Sequence, residues 1–207
     1  MSDRILQSPI TQDIASGLEC GDVVFLTGEF VGTAGHPTHK RLYEYIERGA
    51  EPRINLHGAA FFHLGSMSEQ RDGRIHPRYV NPTTSTRFNA FMPRIVRHFG
   101  LTALAGKGGL DAECVAAMQD VGCVYLSMIG GSAPLLTSGI IEVIETEWDD
   151  LIMQFRLTRF RVQNFGPLTV AIDAHGHSIY DDLTRSARDR LPEIMARLNT
   201  ERRGFQQ

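Results

Sequence analysis

Short apolar runs that close on glycine, with helical patterns between them, most constrain what this chain can fold into. The run Asp22–Gly28 is rich in β-branched and aromatic residues and indicates a core strand. Pro37 can begin a helix, because it has no amide hydrogen to lose in the first turn, and Gly49 ends the apolar face that follows. The alternation continues with an apolar run, a helical pattern that Pro93 must kink or restart, a strand, a helix and a strand: Ala59–Leu64, Phe88–Phe99, Leu101–Ala105, Asp111–Val121 and Cys123–Met128. Strand, turn, helix and strand in this order predict parallel βα units.

The last third of the sequence has a different character. A charged amphipathic helix is expected over Asp181–Leu198. Three β-rich runs separated by short turns predict an antiparallel layer before it: Ile140–Trp148, Phe155–Val162 and Leu168–Asp173. We find no internal repeat, low-complexity tract or long linker, so residues 1–207 are expected to form one mixed α/β domain.

Two segments between these elements are expected to be irregular. Gly65–Arg78 is polar, contains Gly, Ser, Asp and Pro, and has no periodicity, which indicates an exposed loop. Gly130–Ala133 consists of small residues and indicates a turn.

Charge and hydropathy exclude several classes of function. Of the 207 residues, 21 are Lys or Arg and 24 are Asp or Glu, which gives a net charge of -3. With no basic block, neutralisation of phosphates cannot drive strong nucleic-acid binding. Met1–Ile14 lacks the apolar core of a signal peptide, and no stretch approaches the roughly 20 apolar residues of a membrane span. A cytoplasmic protein without nucleic-acid or membrane partners is therefore expected.

The three cysteines give little support for a metal or cluster site of their own. Cys20, Cys114 and Cys123 have no CxxC spacing, and each lies among apolar or small residues. Free thiols buried as small apolar side chains are the expected state.

The segment Asn81–Arg87 carries the most chemical information. Thr83 and Thr84 lie at a predicted helix start, where free backbone N–H groups favour an anion. Arg87, one turn later, could hold a carboxylate through two parallel hydrogen bonds. The alternative is structural: one threonine caps the helix and Arg87 is a solvated charge.

A second candidate anion-binding turn, Gly106–Gly109, directly follows a predicted strand. Its glycines, Gly108 among them, let the backbone turn tightly and approach a ligand, while the ammonium of Lys107 points towards it. The GxxxxGK[ST] spacing of a P-loop is absent. An ordinary glycine turn with an exposed lysine is the alternative, although two such turns at the ends of neighbouring elements favour a binding site.

Two histidine pairs have spacings compatible with metal binding. His36 and His39 are three apart and His175 and His177 two apart, but the sequence supplies no further ligand at a suitable spacing for either pair. The Asp-Ala-His-Gly context of the second pair indicates surface histidines in a turn. A metal-dependent enzyme that uses His36 and His39 remains an open, third hypothesis.

Five ordered motifs together resemble the tartrate dehydratase β subunit, the unit that also forms the C-terminal domain of class I fumarases. They are Gly21–Gly28, His39–Leu42, Asn81–Ser85 with Arg87, Gly106–Gly109 and Phe165–Asp173. The resemblance covers the chain from about Gly21 to the final helix, and the Pro-Thr-Thr and Gly-Lys-Gly-Gly motifs are fairly specific.

The resemblance implies a swivelling β/β/α domain with mixed sheets and flanking helices. It implies a hydro-lyase that is active only with a partner α subunit, whose three cysteines hold a [4Fe-4S] cluster, in an α2β2-type hetero-oligomer. The substrate class it implies is a small 2-hydroxy dicarboxylate, with L-tartrate to oxaloacetate or malate/fumarate interconversion as the default reactions. By position, Thr83 and His39 match catalytic residues of the family, and no metal ligand falls on this chain. Substrate-binding roles fall on Thr84, Arg87, Lys107 and Gly108.

One departure from the family pattern concerns the first helix. The family usually has Arg-Asp-x-x-His there, whereas this chain has Gly35 and His36 before Pro37, Thr38 and His39. The histidine is kept, but one cationic contact to a carboxylate is missing. A non-catalytic small-anion-binding or regulatory protein that retains the fold is therefore the alternative hypothesis.

Overall fold

The computed structural model describes residues 4–71 and 73–204. This part of the chain contains eight strands: β1 Arg4–Gln7, β2 Val23–Thr33, β3 Ala60–Arg71, β4 Arg74–Pro82, β5 Ala103–Gly106, β6 Val124–Ser127, β7 Ile140–Glu147 and β8 Leu157–Ile172. Its α-helices are α1 Gln12–Ser16, α2 His36–Arg48, α3 Met92–Phe99, α4 Ala112–Val121, α5 Ala133–Ser138 and α6 Ile179–Gly204. Two short 3-10 turns cover Ser85–Phe88 and Met153–Phe155.

The strands pair in a way that closes a ring. β1, β2, β3, β5 and β6 run parallel to one another in that spatial order. β8 is antiparallel to β6, and it also pairs with β2 from Val23↔Thr169 to Gly32↔Thr158. The sequence of pairings β2, β3, β5, β6, β8 and back to β2 therefore has no free edge. β7 extends the sheet from the first half of β8, and β4 forms a hairpin with β3.

Two apolar cores follow from the two faces of these strands. Successive side chains of a strand alternate between faces, and one core takes Phe62, Ala105 and Leu126 while the other takes their neighbours Phe61, Leu104 and Tyr125. The first core is shared by all five strands of the ring. The second also includes residues of α2, α3 and α4, so these helices pack against the outside of the ring.

Phe30 of β2 is the centre of the first core. Its ring stacks on Phe62 at 4.4 Å between centroids and contacts Phe160 and Phe165 of β8, each at 5.1 Å. These contacts join β2, β3 and β8 inside the ring. Aromatic packing therefore stabilises the same β2–β8 pairing that closes the ring.

The ends of the outer helices agree with the local sequence. Pro37 lies in the first turn of α2, and Gly49 ends it with φ 64°, a conformation that favours glycine. The Asp111 side chain accepts a hydrogen bond from the Cys114 amide at 3.0 Å and caps α4. Pro93 restarts rather than kinks its helix, because the 3-10 turn Ser85–Phe88 ends before α3 begins.

The mixed α/β class with a sheet and flanking helices is confirmed, and so are the parallel βα units of the first two thirds. Phe155–Val162 and Leu168–Asp173, which were predicted as separate runs, lie largely in the single strand β8. Gly166 and Pro167 resemble a break in the sequence, but Asn164, with φ 50°, and local register shifts let the strand bend and continue. β1, α1 and α5 were not predicted.

The exposed loop predicted over Gly65–Arg78 is wrong. Most of this segment forms the hairpin of β3 and β4, paired from Leu64↔Pro82 to Arg71↔Arg74. Beyond Ser66 the hairpin is largely exposed on both faces, so no apolar alternation marks it in the sequence. Salt bridges from Glu69 to Arg71 and Arg78 lie on it instead.

The helix predicted over Asp181–Leu198 is confirmed within α6, which is exposed along almost its whole length. Apolar side chains on it remain open to solvent: Leu183, Leu191, Ile194, Met195 and Leu198. Across 4–71 and 73–204, no helix has both the length and the apolar character of a membrane span.

Replacing Phe30 with alanine tests the closed ring. Phe30 is 1 % exposed, so we expect Phe30→Ala to lower the free energy of unfolding by about 3–5 kcal/mol. Ile141→Ala is the control, because Ile141 is 57 % exposed and a surface substitution should change stability by about 0.5 kcal/mol or less. Urea unfolding followed by circular dichroism measures both. Equal losses for the two variants would contradict a core centred on Phe30.

Candidate functional site

A cleft of about 230 Å³ lies where the parallel strands end. Its lining residues come from the ends of β2, β4 and β5, from β3, and from the 3-10 turns. They are Ala34, Gly65, Tyr79, Asn81, Pro82, Thr83, Thr84, Arg87, Lys107 and Gln154. Since the carboxyl ends of parallel strands meet at one edge of a sheet, segments distant in sequence converge there.

The two anion-binding turns expected from the sequence are joined by backbone hydrogen bonds. Thr84 and Lys107 form a parallel bridge. The Lys107 amide donates to the Thr83 carbonyl at 3.1 Å, and the Ser85 amide donates to the Lys107 carbonyl at 2.8 Å. The Thr83 amide in turn donates to the His63 carbonyl of β3 at 2.9 Å. Thr83, Thr84 and Lys107 are therefore held in a fixed relation by the sheet.

The cleft is cationic. Arg87 and Lys107 are among its lining residues, and none of the lining residues within the described ranges carries a carboxylate. In the same ranges neither cation forms a salt bridge. A Cβ built on Gly130 would lie 3.5 Å from the Lys107 ammonium, so the glycine loop after β6 gives this side chain room. Two cations without a partner favour a ligand with carboxylate or other anionic groups.

A buried polar chain lies directly beneath the cleft. The Ser85 hydroxyl is 2.8 Å from His63 Nδ1 and 2.8 Å from the Tyr125 hydroxyl. All three residues are fully buried. A Cβ on Gly106 would clash with the Ser85 hydroxyl and lie 3.2 Å from the Tyr125 hydroxyl. Gly106, the last residue of β5, therefore has to be glycine for these hydrogen bonds to form.

His39 lies below the cleft rather than in its wall. Its ring is 0 % exposed, stacks on Phe88 at 3.8 Å and lies 5.1 Å from His63 between centroids. His39 Nδ1 donates to the Gly35 carbonyl at 2.6 Å, because a carbonyl can only accept, and Nε2 has no hydrogen-bond partner among the described residues. A catalytic role for His39 stays a prediction, and the buried ring does not line the cleft.

Burial controls the protonation of these histidines. Removal from water lowers the pKa of His39 from 6.5 to about 4, with the Gly35 carbonyl acting in the opposite direction and His36 in the same one. Burial also lowers the pKa of His63 well below its ordinary value, and the neighbouring His39 adds to this effect. Both rings are therefore neutral at pH 7.

The other candidate residues from the sequence do not line the cleft. Gly108 is exposed beside the cleft with φ 81°, and a Cβ there would come within 3.2 Å of Thr84, so it shapes the turn next to the lining residues. His36 is exposed while His39 is buried, so the two do not present a common ligand face. His175 and His177 occupy an exposed turn as predicted, and both of their amides donate to Asp173.

Some residues of the site had no signal in the sequence. Tyr79 and Gln154 reach the cleft from β4 and a 3-10 turn, and His63 and Ser85 meet across 22 positions. The polar residue inside the apolar run Ala59–Leu64 was the one available hint at His63, because a buried polar side chain needs a partner.

The fold and this cleft define a domain that a family model describes as Fumarase C-terminus, which matches residues 3–183. The chain belongs to this family, and the resemblance recognised in its motifs is thereby confirmed. The match begins before Gly21 and so includes the segment that forms β1 and α1.

The relatives of this chain carry two kinds of name. The L(+)-tartrate dehydratase subunit beta of Escherichia coli K12 is 32% identical over 176 residues, 85% of this chain and 86% of that protein. A Methanocaldococcus jannaschii protein named "Putative L(+)-tartrate dehydratase subunit beta" is 30% identical over 187 residues, 90% of this chain and 95% of that protein. A Geobacillus stearothermophilus protein named "Putative fumarate hydratase class I" is 30% identical over 190 residues, 91% of this chain but 36% of that longer protein.

The cysteines of this chain do not fit an iron–sulfur cluster. Their thiols donate to three separate backbone carbonyls, those of His177, Asn89 and Val124. Burial raises the pKa of each thiol, most strongly for Cys114 and Cys123, whereas cluster ligands are thiolates. The expectation of free thiols is confirmed, with Cys114 and Cys123 buried and Cys20 partly so.

Ser85→Ala tests the buried polar chain. It leaves His63 Nδ1 and the Tyr125 hydroxyl without their shared partner, so we expect a loss of about 1–3 kcal/mol in the free energy of unfolding. Ser186→Ala, at an exposed position of α6, is the control. In a double-mutant cycle with Gly106→Ala the losses should be less than additive, because the alanine methyl clashes with the hydroxyl that Ser85→Ala removes. Additive losses would contradict the contact.

The buried imidazole of His39 predicts a pH dependence of stability. Between pH 6.5 and about 4 the unfolded state binds a proton that folded His39 does not, so stability decreases as the pH falls through this window. We expect the loss between pH 7 and pH 5 to be smaller by about 2 kcal/mol in His39→Gln than in the unchanged chain. His76→Gln is the control and should keep the original slope, because His76 is exposed on the hairpin of β3 and β4 and does not contribute to the pKa shift of His39. Urea unfolding across this pH range measures the slopes, and identical slopes for all three proteins would refute the argument.

Proposed function

We propose that this chain is the β subunit of an iron–sulfur-dependent hydro-lyase that dehydrates a small 2-hydroxy dicarboxylic acid. L-tartrate to oxaloacetate and malate/fumarate interconversion are the default reactions. Family membership and the names of the relatives support a hydro-lyase role. The observation that carries the proposal is the convergence of Thr83, Thr84, Arg87 and Lys107 in one cationic cleft.

The two cations suit a substrate with two carboxylates. Arg87 is exposed on the 3-10 turn Ser85–Phe88, and its planar guanidinium can bind one carboxylate through two parallel hydrogen bonds. Lys107 is fixed through its backbone to Thr83 and Ser85, and its ammonium offers a compact charge to the second carboxylate. Thr84 also lines the cleft, and Gly108 lets the turn approach Thr84 closely.

Thr83 is the proposed base for the carbon-bound proton. Its amide and carbonyl are both hydrogen-bonded into the sheet, which fixes its backbone at the wall of the cleft. A threonine hydroxyl is a weak base unless its surroundings favour the alkoxide. The charge of Lys107, on the strand end bridged to this turn, acts in that direction. The buried, neutral network of Ser85, His63 and Tyr125 supports the turn from below.

Departure of the hydroxyl requires a group that this chain does not supply. We propose that a partner α subunit holds a [4Fe-4S] cluster, which when bound acts as a Lewis acid on the leaving hydroxyl. Subunit naming among the relatives and the poor fit of the local cysteines to a cluster support a second chain. The exposed apolar side chains of α6 are compatible with further protein contacts in an α2β2-type assembly.

The 207 residues are proposed to act as one domain that swivels against the α subunit. The closed ring and its outer helices give the domain a rigid body that could move as a unit. Because the cleft lies at one end of the ring, a partner above it would complete the site and exclude water from it.

Activity should require both chains and the cationic cleft. We expect anaerobic co-expression with an α-type chain carrying three cluster cysteines, followed by cluster reconstitution, to give turnover of tartrate isomers, malate or fumarate. Loss of a positioned base typically costs about 10²- to 10⁴-fold, which is the decrease in kcat expected for Thr83→Ala. Arg87→Ala and Lys107→Ala should each lower kcat/KM by about ten- to a hundredfold, since each removes a charge-assisted contact to the substrate. Absorbance of the unsaturated product or a coupled assay measures the rates.

Lys40→Ala is the matched control, because Lys40 is the other lysine of the chain and lies exposed on α2. It should leave kcat and KM unchanged. A complex that forms but turns over none of these acids, while the isolated chain still binds dicarboxylates through Lys107, would replace the hydro-lyase proposal with an anion-binding protein.

A further inference from the structure

A second group of polar side chains lies at the end of the sheet opposite the cleft. Glu51 follows α2, His57 precedes β3, and His98 lies in the last turn of α3. β3 and β5 run parallel away from this group and reach the cleft at Gly65 and Lys107. The length of these strands therefore separates the two sites.

The three side chains already point at a common place. His98 Nε2 lies 3.1 Å from Glu51 Oε1, and His57 Nε2 lies 3.5 Å from the same oxygen. All three ligand atoms lie within 4.8 Å of one another. A tetrahedral zinc ion with bonds of roughly 2.0–2.2 Å holds its ligand atoms roughly 3.3–3.6 Å apart. The two ligand distances to Glu51 are thus within a few tenths of an ångström of the edges of a zinc tetrahedron.

The backbone under each ligand is anchored. The Gly58 amide, next to His57, donates to the Phe99 carbonyl, next to His98, at 2.9 Å. The buried Phe99 ring contacts both imidazoles edge-on, at 5.2 Å for His57 and 4.7 Å for His98. Glu51 follows the end of α2, where the Ala50 amide donates to the Tyr45 carbonyl at 2.9 Å. Only the side-chain torsions remain to be fixed when an ion binds.

We propose that Glu51, His57 and His98 form a binding site for a divalent transition-metal ion, with Zn²⁺ as the best fit. Two imidazoles and one carboxylate are ligands that zinc prefers, whereas Mg²⁺ and Ca²⁺ prefer oxygen alone. The three side chains are half-exposed, so water can complete the coordination. Elsewhere in residues 4–71 and 73–204, no other three His, Cys, Asp or Glu side chains come together in this way.

Binding would connect three elements that otherwise meet mainly through apolar packing. Glu51 lies in the segment after α2, His57 in the loop before β3 and His98 in α3. The residues around all three pack in the second core. An ion that binds only the folded state stabilises that state. Once the ion concentration exceeds the dissociation constant, the stabilisation grows with the logarithm of the concentration. The proposed site is thus a clamp on the outer helices, independent of the cleft and of its substrate.

Titration of the isolated chain tests the site without any substrate or partner. The untagged, full-length protein is stripped with EDTA and titrated with Zn²⁺ in a calorimeter, and its melting temperature is measured with and without the ion. We expect one ion per chain and a melting temperature that rises with Zn²⁺ concentration. His57→Ala and His98→Ala should each weaken binding by about a hundredfold or more, since even losing a residue that only orients a ligand costs about ten- to a hundredfold. Mg²⁺ and Ca²⁺ should give no heat.

Two control variants separate this site from other histidines. His76→Ala removes an exposed histidine of the hairpin, and His36→Ala removes the exposed member of the His36–His39 pair. Neither should change the affinity or the stoichiometry. Zinc binding that survives both His57→Ala and His98→Ala, or that is lost equally in either control, would overturn the proposal. Failure of the hydro-lyase assay would leave this result untouched, because the titration uses neither substrate nor α subunit.

Discussion

The antiparallel ladder between β2 and β8 is the constraint on which the rest of the structure depends. It converts a sheet with two edges into a ring, with Phe30 packed against Phe62, Phe160 and Phe165 inside it. A closed ring fixes the relative height of its strands, because each register is set against two neighbours. The ends of β2, β3 and β5 are therefore placed together by the core, and the cleft is a consequence of that placement.

The buried network below the cleft converts this placement into a rigid site. Burying Ser85, His63 and Tyr125 is unfavourable unless their polar atoms are paired. The two contacts of the Ser85 hydroxyl pair it with His63 Nδ1 and the Tyr125 hydroxyl, and His63 Nε2 has no partner among the described residues. Because Ser85 also bonds through its amide to Lys107, the same residue links the core to the cationic turn. Gly106 is required at the crossing point, where a side chain would occupy the space of the hydroxyl. Gly106 and Ser85 therefore form one structural unit, although they are far apart in the sequence.

Features set by neighbouring residues could be predicted from the sequence, whereas features set by contacts between distant segments could not. Asp22–Gly28 and Cys123–Met128 were predictable because burial on one or both faces forces an apolar run, and Thr83 and Lys107 because their motifs are contiguous. The hairpin of β3 and β4 was missed because pairing of exposed backbone leaves no apolar period. The contact of His63 with Ser85, and the buried position of His39, depend on how strands pair in space, which no local pattern records.

The two ends of the parallel strands have opposite chemistry, and this separation has a physical basis. At the carboxyl ends, the described lining residues carry Arg87 and Lys107 without a carboxylate, so the field there attracts anions and repels metal ions. At the amino ends, Glu51 lies between two imidazoles, which favours a cation. Apolar side chains fill the two cores between these ends. The cations of the cleft therefore do not neutralise the carboxylate of Glu51. The closed ring therefore keeps the cationic cleft and the proposed metal site apart by the length of β3 and β5.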